Sequence, residues 1–227
     1  MLKTRCSKHF ALFISKCNFI VLFKIHPRLL VITYVSLSLH LEKPSKAVSS
    51  HLYLFGSQGL MKRNTQVATL AILKKVYDIV VEVYPTSFHK GSWTSIFHMT
   101  ISGNANVYGS RIPGIWFAPL SRSTTRNRIL VCNAISGNRN YCRYSAYLPI
   151  RRWAKVRVSQ QLEGSKYVYR IYINDKQIFS KINTQPREFR NVKVYAGDPW
   201  HAAQQGYIRN VQIKGKCIYA DGGSNVR

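Results

Sequence analysis

Apolar and polar residues alternate along most of the chain from residue 67 onward, which is the pattern of strands with one buried face. The clearest example is the segment 76–84, VYDIVVEVY. Its odd-numbered residues are uniformly apolar and are expected to face a core: Tyr77, Ile79, Val81 and Val83. Pro85 ends this strand, because proline has no amide hydrogen to donate to a sheet.

The next two segments are also predicted to contain strands. In the segment 93–101, WTSIFHMTI, the positions in phase with Trp93 are mostly apolar and His98 lies out of phase with them. We therefore expect His98 at the surface or in a groove. The segment 109–117 contains glycines and a proline before an apolar run, which predicts a loop that leads into a strand.

Two hairpins are predicted in the second half of the chain. The strand 129–135 is followed by turn residues at 136–139, SGNR, and the strand 167–173 runs into Asn174-Asp175-Lys176 before the chain returns. Further strands are predicted at 153–160, 191–196 and 206–214. About ten short strands with hardly any helical spacing predict an all-β fold, a two-sheet antiparallel jelly-roll sandwich.

Length and composition fit one such domain with flanking segments. The chain has 227 residues, 46% hydrophobic and 12% aromatic, which is enough to fill one core. We assign residues 67–214 to the sandwich, 51–66 to a polar linker and 215–227 to a C-terminal tail. Residues 1–50 contain two apolar patches, each shorter than the roughly 18–20 residues of a spanning helix. They are interpreted as an atypical signal sequence or signal anchor, with a misassigned first exon as the alternative.

Positive charge is the extreme compositional feature. The chain carries 34 Lys and Arg against 8 Asp and Glu, a formal net charge of +26. Residues 67–214 contain 22 Lys and Arg and 6 Asp and Glu, so the excess belongs to the domain itself. Such a surface attracts anionic partners, either through a dedicated site or through diffuse attraction to polyanions. No RNA-recognition, zinc-finger or helix-turn-helix signature accompanies the charge, so anionic glycans rank above nucleic acid.

The five cysteines contain no CxxC pair and no histidine spacing that would hold zinc. Cys132 and Cys142 flank the predicted turn at 136–138 and face each other across the hairpin. In an oxidising compartment they would form a disulfide, and the alternative is two unpaired cysteines in adjacent strands.

The order of signals in the second half resembles the laminin-G-like branch of the concanavalin-A-like superfamily. In that branch a strand opens with Trp, a hairpin turns at Asn-Gly or Asp-Gly, and a "vyiG" strand precedes a closing "f.G.I.nv.i" strand. The corresponding segments here are 152–156 (RWAKV), 173–176 (INDK), 192–197 (VKVYAG) and 206–213 (GYIRNVQI). Asp175 stands where Gly is usual, which suits a slightly different turn. The resemblance implies a domain that binds a partner rather than one that catalyses a reaction.

Sandwich glycosidases share the superfamily's fold, and the retaining ones need two carboxylates about 5 Å apart. Asp78 and Glu82 share a face of one predicted strand but lie about 13 Å apart along it. No G-x-S-x-G or similar nucleophile motif is present. We therefore expect that this chain is not an enzyme.

The resemblance also implies a calcium site, because many laminin-G-like domains have a rim site of acidic side chains and backbone carbonyls. Asp198, in the segment 197–200 (GDPW), is the best candidate ligand. The alternative is that Asp198 caps its own Asp-Pro turn. No other cofactor is expected.

These features predict a secreted, extracellular, non-enzymatic module that recognises acidic glycans or matrix proteins through a basic face. It would be membrane-attached only if residues 1–50 are an uncleaved anchor. The alternatives are a structural matrix component without a defined site and a degenerate sandwich glycosidase. The proposed anion-binding residues are Arg151, Arg152, Lys155, Arg157, Arg187, Arg190 and Lys193. Candidates for stacking on sugar rings are Trp93, Trp116, Tyr172 and Trp200, with burial in the core as the alternative for the tryptophans.

Overall fold

The computed structural model describes residues 51–54, 59–120 and 125–218. The regular secondary structure in these ranges consists of β-strands. Within the same ranges, no helix is long and apolar enough to cross a membrane. The predicted all-β class is therefore confirmed. The predicted signal or anchor segment, residues 1–50, lies outside the described residues.

The described residues form thirteen strands, paired antiparallel except for a two-residue strand that runs parallel to its neighbour. The first seven are β1 (His51–Leu54), β2 (Gly59–Leu60), β3 (Gln66–Pro85), β4 (Thr94–Thr100), β5 (Gly114–Phe117), β6 (Arg126–Ile135) and β7 (Asn138–Pro149). The others are β8 (Ala154–Glu163), β9 (Lys166–Ile173), β10 (Lys176–Asn183), β11 (Phe189–Tyr195), β12 (Ala202–Ala203) and β13 (Gly206–Ile218).

The long strand β3 joins the two layers of the sandwich. Its second half pairs with β8, from which β9 and β10 continue layer 1. Its first half pairs with β11, from which β4, β5, β6 and β7 continue layer 2. Strand β13 pairs with both halves, and its Gly215, at φ +78°, lies against Val76 where β3 passes between the layers. A Cβ at Gly215 would lie 2.0 Å from the Val76 carbonyl oxygen, so only glycine fits there.

Side chains from both layers meet in one core. The four apolar residues predicted to face inward from β3 are at most 5% exposed, which confirms that prediction. Asn133 on β6 donates a hydrogen bond from Nδ2 to the hydroxyl of Tyr77 on β3 at 2.8 Å. The rings of Tyr141 on β7 and Phe179 on β10 lie 5.5 Å apart, so the last strands of the two layers also touch. Burying each large aliphatic side chain stabilises the fold by roughly 1.5–3 kcal/mol.

Both predicted hairpins are present with tight two-residue turns. Ser136 and Gly137 connect β6 to β7 at φ +50° and +76°, and Asn174 and Asp175 connect β9 to β10 at φ +49° and +64°. Positive φ at both central positions is typical of type I′ turns, whose twist matches that of the flanking strands. Asn, Asp and Gly adopt this conformation more readily than other residues, which is why these turns can be predicted.

Two segment boundaries differ from the prediction. Strands β1 and β2 lie in the segment 51–66 that was assigned to a linker, and both pair with β13. Strand β13 itself continues to Ile218, inside the predicted tail. Runs of two to four residues are too short to show alternation, and their pairing with a distant strand holds them in place.

Candidate ligand-binding surface

The proposed anion-binding residues fall into two separate groups. The group from Arg151 to Arg157 lies at the start of β8, which pairs with the second half of β3. The group from Arg187 to Lys193 lies before and within β11, which pairs with the first half of β3. Because the two halves of β3 belong to different layers, these groups do not form one groove. Sequence distance alone could not have separated them.

Two members of the first group are already paired with carboxylates. Lys155 Nζ lies 2.7 Å from Asp175 Oδ1. The Arg157 guanidinium donates to both oxygens of Asp78 at 2.6 to 3.1 Å, and this hydrogen bonding raises the pKa of Arg157. The same guanidinium lies 5.0 Å from the ring centre of Tyr172, one of the proposed stacking residues. These contacts occupy cations that the sequence assigned to an incoming anion.

Every acidic side chain of residues 67–214 has a basic partner. Because 22 Lys and Arg share six carboxylates in this range, most of the positive charge is not neutralised within the fold. The pairs are Lys74–Glu188, Lys155–Asp175, Arg157–Asp78, Arg170–Glu163, Arg209–Glu82, and Asp198 with His98 and His201.

Strands β4 to β7 of layer 2 carry no acidic residue. No Asp or Glu occurs between Glu82 and Glu163, a stretch that includes strands β4 to β7. Arg126, Arg139 and Arg143 are exposed on β6 and β7. The surface of β6 and β7 therefore carries a positive potential, and neither strand has an acidic residue to offset it.

A pocket of about 540 Å³ opens between the loop at 106–108 and the β6–β7 turn. Arg139 and Tyr108 line it, and Arg139 has no hydrogen bond or ion pair with another described residue. The remaining polar lining consists of three asparagines: Asn106, Asn138 and Asn140. Side-chain amides both donate and accept hydrogen bonds, so they suit sugar hydroxyls, while a free guanidinium suits a carboxylate or sulfate.

Contacts with the core side of the sheet hold Tyr108, one wall of the pocket, in place. The Tyr108 hydroxyl donates to the Ala134 carbonyl at 3.2 Å, and the Tyr108 ring stacks on Phe189 with ring centres 6.0 Å apart. Burial raises the pKa of Tyr108, so its hydroxyl stays protonated near neutral pH. The Arg187 guanidinium lies 4.7 Å from the same ring, so one residue of the second predicted group is next to the pocket.

The pocket residues were missed in the sequence, although a signal was present. The tetrapeptide G-N-x-N occurs twice, as GNAN at 103–106 and as GNRN at 137–140. The second copy contains most of the predicted turn at 136–139. The fold brings the last residue of the first copy, Asn106, next to the whole second copy, although 34 residues separate the two copies in sequence.

The proposed stacking tryptophans differ in accessibility. Trp116 is 4% exposed and donates from Nε1 to Asp198 Oδ2 at 3.0 Å, so the prediction that it stacks on a sugar is wrong. Trp200 is 39% exposed, and its ring meets the edge of His98 with ring centres 5.4 Å apart. Trp200 therefore keeps an accessible surface, whereas Trp116 is part of a buried network.

Asp198 is the centre of that network and is fully buried. Its Oδ1 accepts the backbone N–H groups of Trp200 and His201 at 3.0 and 2.8 Å, as expected of an aspartate that caps its own turn. The His201 ring and, through Oδ2, Trp116 and His98 complete the set at 3.0 to 3.1 Å. Burial alone would raise the pKa of Asp198, but hydrogen bonds from His201 and His98 outweigh it and hold this pKa well below its usual range.

These contacts match the alternative interpretation of Asp198, in which it caps its own turn. Both carboxylate oxygens already accept N–H donors, which leaves no open lone pair directed at a cation. Among the described residues, no group of three or more His, Cys, Asp or Glu side chains has a metal-binding arrangement.

His98 also differs from its prediction, because it is buried and not at the surface. Its Nδ1 lies 3.1 Å from Asp198 Oδ2 and its Nε2 lies 2.7 Å from the Ser110 carbonyl oxygen. Both ring nitrogens thus lie within hydrogen-bond distance of an oxygen, so His98 connects Asp198 to the backbone at Ser110. The loop at 197–205 covers this face of β4, and its strand β12 pairs with β4.

Cys132 and Cys142 lie directly opposite each other in the β6–β7 register and form a disulfide. The bridge closes the hairpin two pairs away from Leu130 and Tyr144, on the same face of the two strands. It therefore fixes the strands that carry the cationic surface.

No protein-family model matches the chain, and no curated protein matches its sequence. Solved structures with a similar fold include a native heptameric SAP-like pentraxin from Limulus polyphemus, at 11% identity, a TM-score of 0.42, 74% of this chain and 76% of that one. The carbohydrate recognition domain of Emp47p matches at 10% identity and a TM-score of 0.44, with 76% and 91% covered. The CBM40 of a Ruminococcus gnavus sialidase, bound to sialyllactose, matches at 12% identity and a TM-score of 0.39. The match covers 72% of this chain and 94% of that one. The strands described above form an all-β sandwich, and carbohydrate-binding domains are among the solved structures to which it is similar.

Proposed function

We propose that this chain is a non-enzymatic, extracellular binding module of the laminin-G-like kind that recognises acidic glycans through the cationic side of layer 2. The pocket at the β6–β7 turn is the docking point for a sugar that carries a carboxylate or a sulfate. Arg139 is the residue that binds this anionic group, and the asparagine amides hydrogen-bond the neighbouring hydroxyls.

The distribution of charge is the observation that carries the proposal. Strands β4 to β7 lie in a stretch without any Asp or Glu, and the carboxylates of residues 67–214 are all paired. An anion that enters the pocket therefore meets a free guanidinium in a positive potential, with no internal carboxylate to displace.

A binding role is favoured over hydrolysis because the acidic residues are occupied. Asp78 and Glu82 lie four residues apart on β3, and each is hydrogen-bonded to an arginine at 3 Å or less. A retaining glycosidase needs two carboxylates facing one sugar at about 5 Å. The Cys132–Cys142 disulfide supports an extracellular location, because such bonds persist in oxidising compartments.

The test measures binding of a heparin tetrasaccharide to the full chain by calorimetry at physiological salt, where weak diffuse attraction is screened. Arg139→Ala removes a charge-assisted hydrogen bond worth about 1.5–3 kcal/mol, so the affinity should fall about 10- to 150-fold. Arg152→Ala is the matched control, since Arg152 is exposed, has no described partner and belongs to the other layer. Its affinity should stay within about twofold of the wild type.

Equal, small losses in both variants would favour the alternative of a matrix component that attracts acidic macromolecules without a defined site. A loss confined to Arg152→Ala would place the anion at the start of β8 instead. Either result contradicts the pocket as the docking point.

A further inference from the structure

An irregularity in β7 brings two exposed tyrosines to one face. Leu130 pairs with Tyr144 and Arg128 pairs with Tyr147, so β7 advances three residues where β6 advances two. This bulge places Tyr144 and Tyr147 on the same side, although residues three apart in a regular strand point to opposite sides. Bulges are known to redirect side chains at sheet edges in this way.

The cross-strand register identifies that side as the outer face of layer 2. Leu130 lies opposite Tyr144 on one side and Trp116 on the other. Trp116 in turn contacts Asp198 in the loop that covers the outside of β4. The covering loop ends there, and the face of β6 and β7 beyond it is open, with Tyr144 46% and Tyr147 51% exposed.

An arginine lies between the two tyrosines. The Arg128 guanidinium is 4.6 Å from the ring centre of Tyr144 and 5.1 Å from that of Tyr147. Trp93 extends the row, with its ring stacked at 24° and 6.3 Å from Tyr144. We call Trp93, Tyr144, Arg128 and Tyr147 the aromatic strip. Packing between the rings fixes the guanidinium plane and leaves its edge to bind an oxyanion.

We propose that the aromatic strip is a second subsite, which binds the continuation of a linear acidic polysaccharide whose end sits in the pocket. The exposed rings stack against sugar faces, and Arg128 binds the carboxylate or sulfate groups between them. This inference rests on the proposed function and extends it from one sugar residue to a chain. From Asn140 to Tyr147 the strand spans about 23 Å, so a short oligosaccharide cannot reach from the pocket across the whole strip.

The charge of the strip and the nearby disulfide favour an acidic polysaccharide over nucleic acid as its ligand. Arg126 is exposed at the end of the strip, and no acidic residue occurs anywhere in β6 or β7, so the strip complements a polyanion. Single-stranded nucleic acid also stacks on aromatic rings beside arginines. The disulfide two pairs away from Tyr144 favours an oxidising compartment, where the abundant polyanions are glycans.

The experiment compares a heparin tetrasaccharide with a heparin dodecasaccharide on the full chain at physiological salt. The double variant Tyr144→Ala/Tyr147→Ala should lose about tenfold or more in affinity for the dodecasaccharide and little for the tetrasaccharide. Tyr144→Phe/Tyr147→Phe keeps the rings and should restore the affinity. Tyr167→Ala is the control, because Tyr167 is a partly exposed tyrosine on β9 in layer 1. Equal urea midpoints establish that each variant is folded.

Any one of three outcomes would contradict the proposal that the aromatic strip is a second subsite. The dodecasaccharide binds no more tightly than the tetrasaccharide, or the alanine pair weakens both lengths equally, or the alanine pair abolishes binding of an oligothymidine probe and leaves the dodecasaccharide unaffected. The proposed function is judged separately by Arg139→Ala with the tetrasaccharide. If Arg139→Ala loses tetrasaccharide binding and the tyrosine variants have no effect on either length, the pocket is supported as the binding site and the second subsite is rejected.

Discussion

Replacing Asp198 with asparagine tests whether the buried network holds the covering loop onto layer 2. Asp198 accepts five N–H donors, three from side chains and two from the backbone of its own turn. An asparagine of the same shape offers one oxygen and one NH₂ group. In either orientation, the new NH₂ group faces N–H donors, and at least two of the five donors lose their acceptor.

The magnitude follows from the burial of the carboxylate. Asp198 is fully buried, and each buried donor that loses its acceptor costs about 1–3 kcal/mol, so the loss of two or more acceptor contacts should cost about 3–5 kcal/mol. In a domain of this size each kcal/mol shifts the melting temperature by about 2–4 °C, so Asp198→Asn should melt about 6–20 °C lower.

The assay is urea and thermal unfolding of the full chain, with Asp175→Asn as the matched control. Asp175 makes the same kind of pair, with Lys155 at 2.7 Å, but its side chain is 70% exposed. Exposed pairs contribute about 0–1 kcal/mol, so the control should lose little. If Asp198→Asn and Asp175→Asn have the same free energy of unfolding, the network does not hold the loop and the reasoning fails.

Acid titration gives a second reading of the same carboxylate. The pKa of Asp198 is lower in the folded state than in the unfolded state, so its contribution is complete above the unfolded value, about 4. That contribution is lost as the pH falls below this value. The stability difference between the wild type and Asp198→Asn should therefore shrink from pH 6 to pH 2. A difference that stays constant over this range would mean that the charge of Asp198 is not what stabilises the fold.

Three other substitutions test local features of the fold by urea unfolding. Gly215→Ala should destabilise far more than Gly164→Ala, because a Cβ meets the Val76 carbonyl at the first site and nothing within 4 Å at the second; equal losses would contradict the bend in β13. Tyr77→Phe leaves the Asn133 amide unpaired and should cost about 1–3 kcal/mol, whereas Tyr169→Phe removes a buried hydroxyl without a described partner and should cost nothing. Replacing both cysteines of the β6–β7 hairpin with alanine opens a ten-residue loop and should cost about 2–3 kcal/mol; no change would mean that the bridge is dispensable.

Local chemistry was sufficient to predict most of the fold. Alternation identified the inward face of β3, and the tight turns at 136–137 and 174–175 followed from residues that tolerate positive φ. Each of these signals is contained within about ten residues of sequence, so no knowledge of distant strands was needed.

The cationic site could not be predicted in the same way, because pairing between distant strands determines it. Lys155 and Arg157 looked available in sequence, but their acidic neighbours come from the adjacent turn and from β3. Arg139 has no such neighbour, although nothing in its local sequence distinguishes it from the other arginines. Free cations could be recognised only when the partners of all six carboxylates were known.

The prediction for His98 failed for the same reason, which also explains why the two ends of layer 2 differ in exposure. Alternation assumes that one face of a strand meets solvent, yet all seven residues of β4 are buried. The 197–205 loop supplies the second cover, and Asp198 attaches it through Trp116 and His98. Because the loop covers β4 and β5 and not β6 and β7, one part of the outer face becomes core. The other part, on β6 and β7, stays exposed and accessible to a ligand. The loop that Asp198 attaches ends where this exposed part begins.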